Sequence, residues 1–207
     1  MELYFIRHGE TIWNVEQRFQ GSLDSPLTEK GILQAKLLSK HLRDINFTQF
    51  YSSPAKRATD TANILLGDRI QSLDIMEEFA EINIGDMEGV KSSIFKEKYP
   101  ELFHNFFFDP DNYDPSIING ESFLQLEERV KVGLKKLVAA HSYNDRILLV
   151  SHGGTLRTLF NIIDSDKNKT FLKIIANTSV SIVSYSDNNF NFLSFSDTKH
   201  LEGNSYD

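Results

Sequence analysis

The hydrophobic positions in the first third of the chain follow two periods in turn. Residues 28–43 and the stretch after Ser53 repeat apolar side chains at helical spacing, with Thr28 and Ser53 as predicted N-caps and Pro54 at the first helical position. Short apolar runs typical of buried strands separate and flank these helices. They lie at residues 3–6, 47–51 and 72–76. Strands that alternate with helices predict an α/β fold with a mostly parallel sheet.

The middle of the chain loses this regularity. Residues 84–118 are rich in Phe, Tyr and Pro and keep no sustained period. Phe106, Phe107 and Phe108 are predicted mainly to pack this segment onto the rest of the protein, with a lesser expectation that one ring reaches a pocket. We therefore interpret residues 84–118 as a helical and aromatic insertion that caps the carboxyl edge of the sheet.

Regular patterns return in the last part of the chain. Ser122 and Gln125 form a predicted capping box before a helix. A buried strand at residues 147–150 is followed by a helix at 156–163. Apolar and polar residues then alternate on both sides of residues 187–189, which predicts an antiparallel hairpin. The complete prediction is one domain over residues 1–207, a three-layer α/β/α sandwich with this hairpin at its end.

Composition and charge exclude several classes of function. Hydrophobic residues at 40% and charged residues at 25% are typical of a folded globular protein. A formal net charge of −7 argues against a nucleic-acid partner. The chain has no cysteine, which excludes cysteine nucleophiles and thiolate metal sites. Because no segment resembles a signal peptide or a membrane span, we expect a cytoplasmic protein without a membrane partner; a homodimer stays open.

Two histidines stand out because each follows a predicted strand and precedes a glycine. In a parallel sheet, His8 and His152 would emerge together at the carboxyl edge, where α/β proteins bind ligands. Arg7 adjoins the first histidine, and Arg57 lies in the first turn of the helix after another strand. Two imidazoles, two guanidiniums and a helix N-terminus are thus predicted to share one crevice.

Such a group of residues suits a phosphoryl group. Guanidinium groups match its oxygens, and positive charge nearby lowers the pKa of a histidine, so that the ring stays neutral and nucleophilic. Transfer of the phosphoryl group also needs a proton for the departing alkoxide, usually from a carboxylic acid with a raised pKa. Composition alone does not choose that acid among the 29 acidic residues.

Several ordered blocks of sequence resemble the histidine phosphatase superfamily, the phosphoglycerate mutase-like enzymes. These blocks occur in the same order as in that family, and together they span residues 3 to 157. The blocks are Arg7-His8-Gly9-Glu10-Thr11 with Asn14, Gln20-Gly21, Asp24, Pro26-Leu27-Thr28 with Gly31, Ser53-Pro54 with Arg57-Ala58 and Thr61-Ala62, Glu81 ahead of Gly85 and Glu88-Gly89, Gly120-Glu121-Ser122, and Ser151-His152-Gly153-Gly154.

The resemblance implies a role for each matching residue. His8 would accept the phosphoryl group, and Glu81 would be the proton donor and then the base for water. The remaining residues would hold the phosphoryl oxygens. These are Arg7, Arg57 and His152, with Asn14, Gln20 and the backbone of Gly21 and Gly153 assisting. The family needs neither metal nor cofactor, and the arginines would supply the charge that Mg²⁺ provides in other phosphoryl-transfer sites.

Three functions remain open from the sequence. The leading hypothesis is a phosphomonoesterase that acts on small phosphorylated metabolites through a phosphohistidine. A phosphoglycerate mutase and a non-catalytic phosphate-binding protein on the same scaffold are the alternatives. Outside the proposed site, we interpret Arg129 and Arg157 as ion-pair or surface residues and His200 as a surface residue.

Overall fold

A single six-stranded sheet runs through the computed structural model, which describes residues 1–164 and 175–203. In chain order the strands are β1 (Glu2–Arg7), β2 (Gln49–Ser52), β3 (Leu73–Ile75), β4 (Arg146–Ser151), β5 (Val180–Ser186) and β6 (Asn189–Asp197). Their order in space is β3-β2-β4-β1-β5-β6, and the first four are parallel. β5 and β6 pair antiparallel, which confirms the predicted terminal hairpin.

Helices cover both faces of this sheet. They are α1 (Ile12–Val15), α2 (Glu29–His41), α3 (Lys56–Leu66), α4 (Ser92–Lys98), α5 (Pro100–Phe108), α6 (Phe123–Ala139) and α7 (Gly153–Ile163). Alternate residues of a strand point to opposite faces. Accordingly, Ile6 of β1 belongs to the core with α2 and α3, whereas Phe5 belongs to the core with α6 and α7. The three-layer sandwich predicted from the sequence is confirmed.

The register of the parallel strands determines which residues meet at the carboxyl edge. Arg7 at the end of β1 pairs with Ser151 at the end of β4, so His8 and His152 come next on adjacent strands. Ser52 of β2 pairs with Val150, which brings Ser53 to the same edge. The sheet therefore collects three polar side chains that are far apart in sequence.

The predicted cap of α3 is wrong. The helix begins at Lys56, its N-cap residue is Ala55, and no side chain of the cap residue bonds to it. The hydroxyl of Ser53 instead shares a 2.6 Å hydrogen bond with Nε2 of His152. Both carboxylate oxygens of Asp24 lie within 3.4 Å of the backbone N–H of Arg57, so a residue distant in sequence satisfies the first turn.

The segment at residues 84–118 is partly helical, as expected, although its sequence pattern did not show where the helices begin and end. It includes the two short helices α4 and α5, whose phenylalanines meet one another and Phe19 at ring distances of 5 to 6.4 Å. Most of these pairs are edge-to-face, the geometry that aromatic quadrupoles prefer. No helix among the described residues is both long and apolar enough to cross a membrane.

Candidate active site

A cavity of about 520 Å³ opens at the carboxyl edge of the sheet. Eight of the nine residues predicted for the site line it. They are Arg7, His8, Asn14, Gln20, Gly21, Arg57, Glu81 and Gly153. The ninth, His152, is fully buried and packs against His8 with ring centroids 5.2 Å apart. Residues from six separate parts of the chain, between Arg7 and Gly153, thus meet at one place.

His8 is held in a form that suits a nucleophile. Its Nδ1 lies 2.8 Å from the carbonyl oxygen of Gly9, and because a carbonyl only accepts, Nδ1 carries the proton and donates. Burial, followed by the nearby His152, Arg7 and Arg57, lowers the pKa of His8 well below its usual value. The ring is therefore neutral near pH 7, and the lone pair lies on Nε2.

His152 is neutral for similar reasons. Burial is the largest cause that lowers its pKa, and the positive charges of Arg57 and Arg7 act in the same direction. Its Nε2 bonds to Ser53, which orients the ring. Its Nδ1 is buried and has no hydrogen-bond partner among residues 1–164 and 175–203.

Arg57 is fixed almost entirely by the backbone of the loop before α2. Its side chain is only 1% exposed, and one Nη donates to the carbonyl oxygen of Gly21 while the other donates to that of Leu23, each at 2.8 Å. Asp24 adds an ion pair at 3.1 Å. Nε remains buried without a partner in the described part of the chain, and Arg57 lines the cavity.

The loop that holds Arg57 depends on a glycine. Gly21 has φ of +54°, and a Cβ there would lie 2.1 Å from a carboxylate oxygen of Glu88. That carboxylate accepts hydrogen bonds from the N–H groups of Ser22 and Leu23. Only glycine permits both the left-handed backbone and this close approach.

Glu81 lies at the N-terminus of α7. Its carboxylate accepts hydrogen bonds from the N–H groups of Gly154 and Thr155 at 3.1 and 2.9 Å. Burial acts to raise its pKa, but these hydrogen bonds, one from Ile82 and the charge of Arg57 outweigh it, and the pKa is lowered. The sequence led us to expect a proton donor with a raised pKa, so the direction found in the structure is the opposite.

Comparison with known proteins identifies the family. The model of the histidine phosphatase superfamily (branch 1) matches residues 3–198. The chain belongs to this superfamily. A metal-independent phosphoserine phosphatase of Arabidopsis thaliana is 32% identical over 204 residues, which cover 97% of this chain and 83% of the relative.

Solved structures agree with this assignment. YhfR of Bacillus stearothermophilus superposes with a TM-score of 0.91 at 35% identity. The superposition covers 97% of this chain and 99% of the YhfR chain. A histidine-to-alanine variant of phosphoserine phosphatase from Entamoeba histolytica, in complex with phosphoserine, has a TM-score of 0.83 at 28% identity. This superposition covers 97% of this chain and 98% of the Entamoeba chain. With these relatives, the chain is a phosphatase of the histidine phosphatase superfamily.

Two walls of different character bound the cavity of this histidine phosphatase. We call Arg7, His8, Arg57, Glu81 and Gly153 the polar wall. The aromatic wall consists of Phe19, Phe106, Phe107 and Phe108. Three of the four phenylalanines of α5 line the cavity, although the sequence suggested at most one. Phe106 is also buried against Phe19, so its ring belongs both to the hydrophobic core and to the cavity lining.

Arg157 and Arg18 also line the cavity of this phosphatase. Arg157 lies four residues after Gly153 on α7, which puts both on one helix face. Burial lowers its pKa, while the charge of Glu81 acts to raise it. Arg157 therefore contributes to the cavity lining, whereas the sequence favoured an ion-pair or surface role.

Arg129 and His200 lie in different environments. Arg129 forms the expected ion pair with Glu121 at 2.6 Å and also donates to the carbonyl oxygens of Glu78, Ala80 and Glu81. It therefore holds the backbone that carries the candidate acid. The surface assignment of His200 is wrong, because the ring is 8% exposed.

Asn177 is the residue that sequence reasoning missed altogether. Its amide bonds to the backbone of His8 and to the side chain of Asn14. It lies just before β5, in a stretch without strong pattern or charge. No signal in the single sequence pointed to it.

Proposed function

We propose that this protein is a metal-independent phosphomonoesterase that acts on small phosphorylated metabolites through a phosphohistidine on His8. The observation that carries the proposal is the state of His8, which is neutral, protonated on Nδ1 and accessible from a cavity lined by arginines. A neutral imidazole with its lone pair on Nε2 is the form required for attack on phosphorus.

In the first step the phosphoryl group binds against the polar wall. Nε of Arg7 and Nε of Arg57 are buried donors without partners among the described residues, and they suit the phosphoryl oxygens. Nε2 of His8 then attacks phosphorus. The new N–P bond forms as the P–O bond to the leaving alcohol breaks, and the arginines stabilise the charge on the transferred group.

Glu81 is the proposed proton donor to the leaving oxygen. Its lowered pKa belongs to the cavity without substrate, where Arg57 is one of the groups that stabilise the carboxylate. A phosphate dianion beside Arg57 offsets that positive charge and adds a negative charge near Glu81, and both effects raise the pKa of the carboxyl group. Substrate binding is therefore what makes Glu81 an acid.

In the second step water hydrolyses the phosphohistidine. Glu81, now a carboxylate, takes a proton from the water molecule as the water oxygen attacks phosphorus. The N–P bond breaks, inorganic phosphate leaves, and His8 regains its lone pair on Nε2. Glu81 is the acid in the first step and the base in the second, so it regains its proton by the end of each turnover.

The donor set at the site favours chemistry without a metal. Among the described residues, no group of three or more His, Asp or Glu side chains is arranged to hold a metal ion. Among residues 1–164 and 175–203, four arginines line the cavity, and Glu81 supplies the one carboxylate that lines it. This positive lining supplies the charge neutralisation that phosphoryl transfer needs and also suits small substrates that are themselves anionic.

The decisive experiment is a phosphatase screen with EDTA present. It would include p-nitrophenyl phosphate, phosphoserine, sugar phosphates and phosphoglycerate, with release of inorganic phosphate as the readout. We expect turnover of at least one ester under chelation. Loss of all activity in EDTA, with recovery on adding Mg²⁺, would overturn the metal-independent mechanism.

A phosphoglycerate mutase is the second candidate, because one relative at 31% identity is named phosphoglycerate mutase-like protein 4 of Arabidopsis thaliana. The two functions divide at the phosphohistidine, which passes its phosphoryl group either to water or to another hydroxyl. Incubation with 3-phosphoglycerate separates them, since a phosphatase releases inorganic phosphate and a mutase forms the 2-phospho isomer.

A further inference from the structure

The chain just before β5 crosses the end of β1 and makes repeated contacts with it. The carbonyl oxygen of Ile175 accepts a 2.7 Å hydrogen bond from Nη1 of Arg7. The N–H of Thr178 donates to the carbonyl oxygen of Arg7 at 2.9 Å. Residues 175–178 therefore hold both the side chain and the backbone of a polar-wall residue. We call these residues the crossing segment.

Asn177 lies within the crossing segment and contacts two further residues of the site. Its side-chain NH₂ group lies 3.0 Å from the carbonyl oxygen of His8 and 3.3 Å from Oδ1 of Asn14. An amide NH₂ has two hydrogens to donate, and these two acceptors use both. One side chain thus connects the candidate nucleophile with a candidate phosphate-binding residue.

The contact between Asn177 and Asn14 determines the orientation of the Asn14 side-chain amide. Oδ1 of Asn14 accepts from the N–H of Thr11 at 3.1 Å as well as from Asn177. If the amide of Asn14 were turned over, its NH₂ group would face two donors. The observed arrangement therefore keeps the oxygen on the protein side and leaves the NH₂ group of Asn14 available to the cavity that it lines.

The backbone around Asn177 accepts strain to keep this geometry. Thr178 has φ of +55°, a conformation that is unusual for a β-branched residue. The N–H of Ser179 bonds to the carbonyl oxygen of Ala176 and closes a turn around Asn177 and Thr178. Thr178 is fully buried, and its hydroxyl bonds to His200 at 3.0 Å. Strain that its surroundings maintain is characteristic of functional sites.

From these contacts we infer that Asn177 is a positioning residue for phosphoryl transfer, which holds the backbone of His8 and orients the amide of Asn14 toward a phosphoryl oxygen. The effects on kcat/KM that this inference predicts rest on the proposed function. It also makes a separate claim about anion binding, because a correctly oriented Asn14 donates to bound phosphate whether or not turnover follows.

The test compares Asn177→Asp and Asn177→Ala with the wild-type protein. The Asp variant keeps the size of the side chain but replaces both donors with acceptor oxygens, which repel the carbonyl of His8 and Oδ1 of Asn14. We expect kcat/KM for p-nitrophenyl phosphate to fall about 100-fold in the Asp variant and about tenfold in the Ala variant. Asn191→Asp on exposed β6 makes the same chemical change away from the cavity and should leave kcat/KM unchanged.

A double-mutant cycle with Asn14→Ala distinguishes positioning from general stabilisation. If Asn177 acts partly through Asn14, adding Asn177→Ala to Asn14→Ala should cost clearly less than it does in the wild-type protein. The thermal midpoint of each variant would be measured alongside. Full additivity of the two losses would overturn the proposed orientation of Asn14.

Titration with inorganic phosphate keeps the inference separate from the catalytic proposal. We expect Asn177→Asp to weaken phosphate binding at least tenfold relative to wild type and to Asn191→Asp. A wild-type protein without turnover would refute the proposed function, but this titration would still decide the role of Asn177. Unchanged phosphate affinity and unchanged kcat/KM in Asn177→Asp would refute the inference.

Discussion

The polar and aromatic walls of the cavity are built by different means. His8 in the polar wall follows a strand whose register with β4 is fixed over six residue pairs. In the aromatic wall, Phe106, Phe107 and Phe108 lie on one short helix and are held by contacts between rings. A sheet edge positions atoms through many shared hydrogen bonds, whereas ring packing fixes a shape and tolerates adjustment.

This difference separates chemistry from selectivity. The polar wall contains the groups that would attack, donate a proton and hold charge; His8 and Arg57 are buried, and Arg7 and Glu81 are half-buried. The aromatic wall contributes no proton donor or nucleophile, and Phe108 is 64% exposed. We therefore expect changes in the polar wall to affect kcat for every substrate, and changes in the aromatic wall to affect stability or the choice among substrates.

The largest effect is expected from His8→Ala. Under the proposed mechanism this removes the nucleophile that forms the phosphohistidine, so kcat should fall about 10⁴-fold or more for all phosphoesters. The measurement is phosphate release at saturating substrate, together with trapping of the acid-labile phosphoenzyme. His104→Ala, an exposed histidine of α5, is the matched control and should retain full activity. Substantial turnover by His8→Ala would contradict the mechanism.

Glu81→Gln should give the next largest loss. The amide keeps the size of the carboxyl group but donates no acidic proton, so kcat should fall about 10²- to 10⁴-fold for esters with poor leaving groups such as phosphoserine. The loss should be smaller with p-nitrophenyl phosphate, whose leaving group departs without a proton. Glu127→Gln on α6 serves as a surface control. Equal losses for both substrates would argue against an acid role.

The sequence alone predicted much of the polar wall and the His152 ring that packs against it, because strand ends in a parallel sheet follow simple rules. His8 and His152 each follow a predicted strand, and Arg7 adjoins the first, so their meeting followed from topology. Glu81 could not be found in this way. It lies on an irregular segment after the 3₁₀ turn Glu77–Phe79, and only the family resemblance selected it.

The aromatic wall and the supporting contacts were harder to predict, since they depend on packing between distant segments. The Phe-rich run gave no helical period, although it forms α5. Ser53 has the pattern of an N-cap, but a tertiary hydrogen bond to His152 prevails over the local preference. Asn177 has no local pattern, because its role arises from where β5 joins the sheet beside β1.

Phe106→Ala tests the structural contribution of the aromatic wall. The ring is 4% exposed and packs against Phe19, Tyr113 and Phe123. Truncation should lower the free energy of unfolding by about 3–5 kcal/mol, as for other buried phenylalanines. Denaturant unfolding measures this loss. If instead kcat collapsed while stability stayed unchanged, the two walls would not be separable in function.

The pH dependence of stability near neutrality should be set by the buried histidines. Burial keeps the pKa of His8 and of His152 well below 6.5 and lowers that of His200 to about 4, so below pH 6.5 the unfolded chain binds protons that the folded protein does not. The free energy of unfolding should therefore rise with pH up to about 6.5 and then level off. Urea denaturation across this range measures the slope. His152→Gln should make it shallower, because one of these histidines is removed, and His104→Gln should leave it unchanged.

Phe108→Ala should have the smallest effect and gives the most direct view of selectivity. Because the ring is largely exposed, its removal should change the free energy of unfolding by less than about 0.5 kcal/mol. It lines the cavity beside Phe107, so the KM values of bulky and small phosphoesters should shift relative to one another, by about tenfold at most. Steady-state kinetics on paired substrates measures this ratio. A uniform fall in kcat would instead mean that the aromatic wall helps to align the phosphoryl group, and the division between chemistry and selectivity would have to be abandoned.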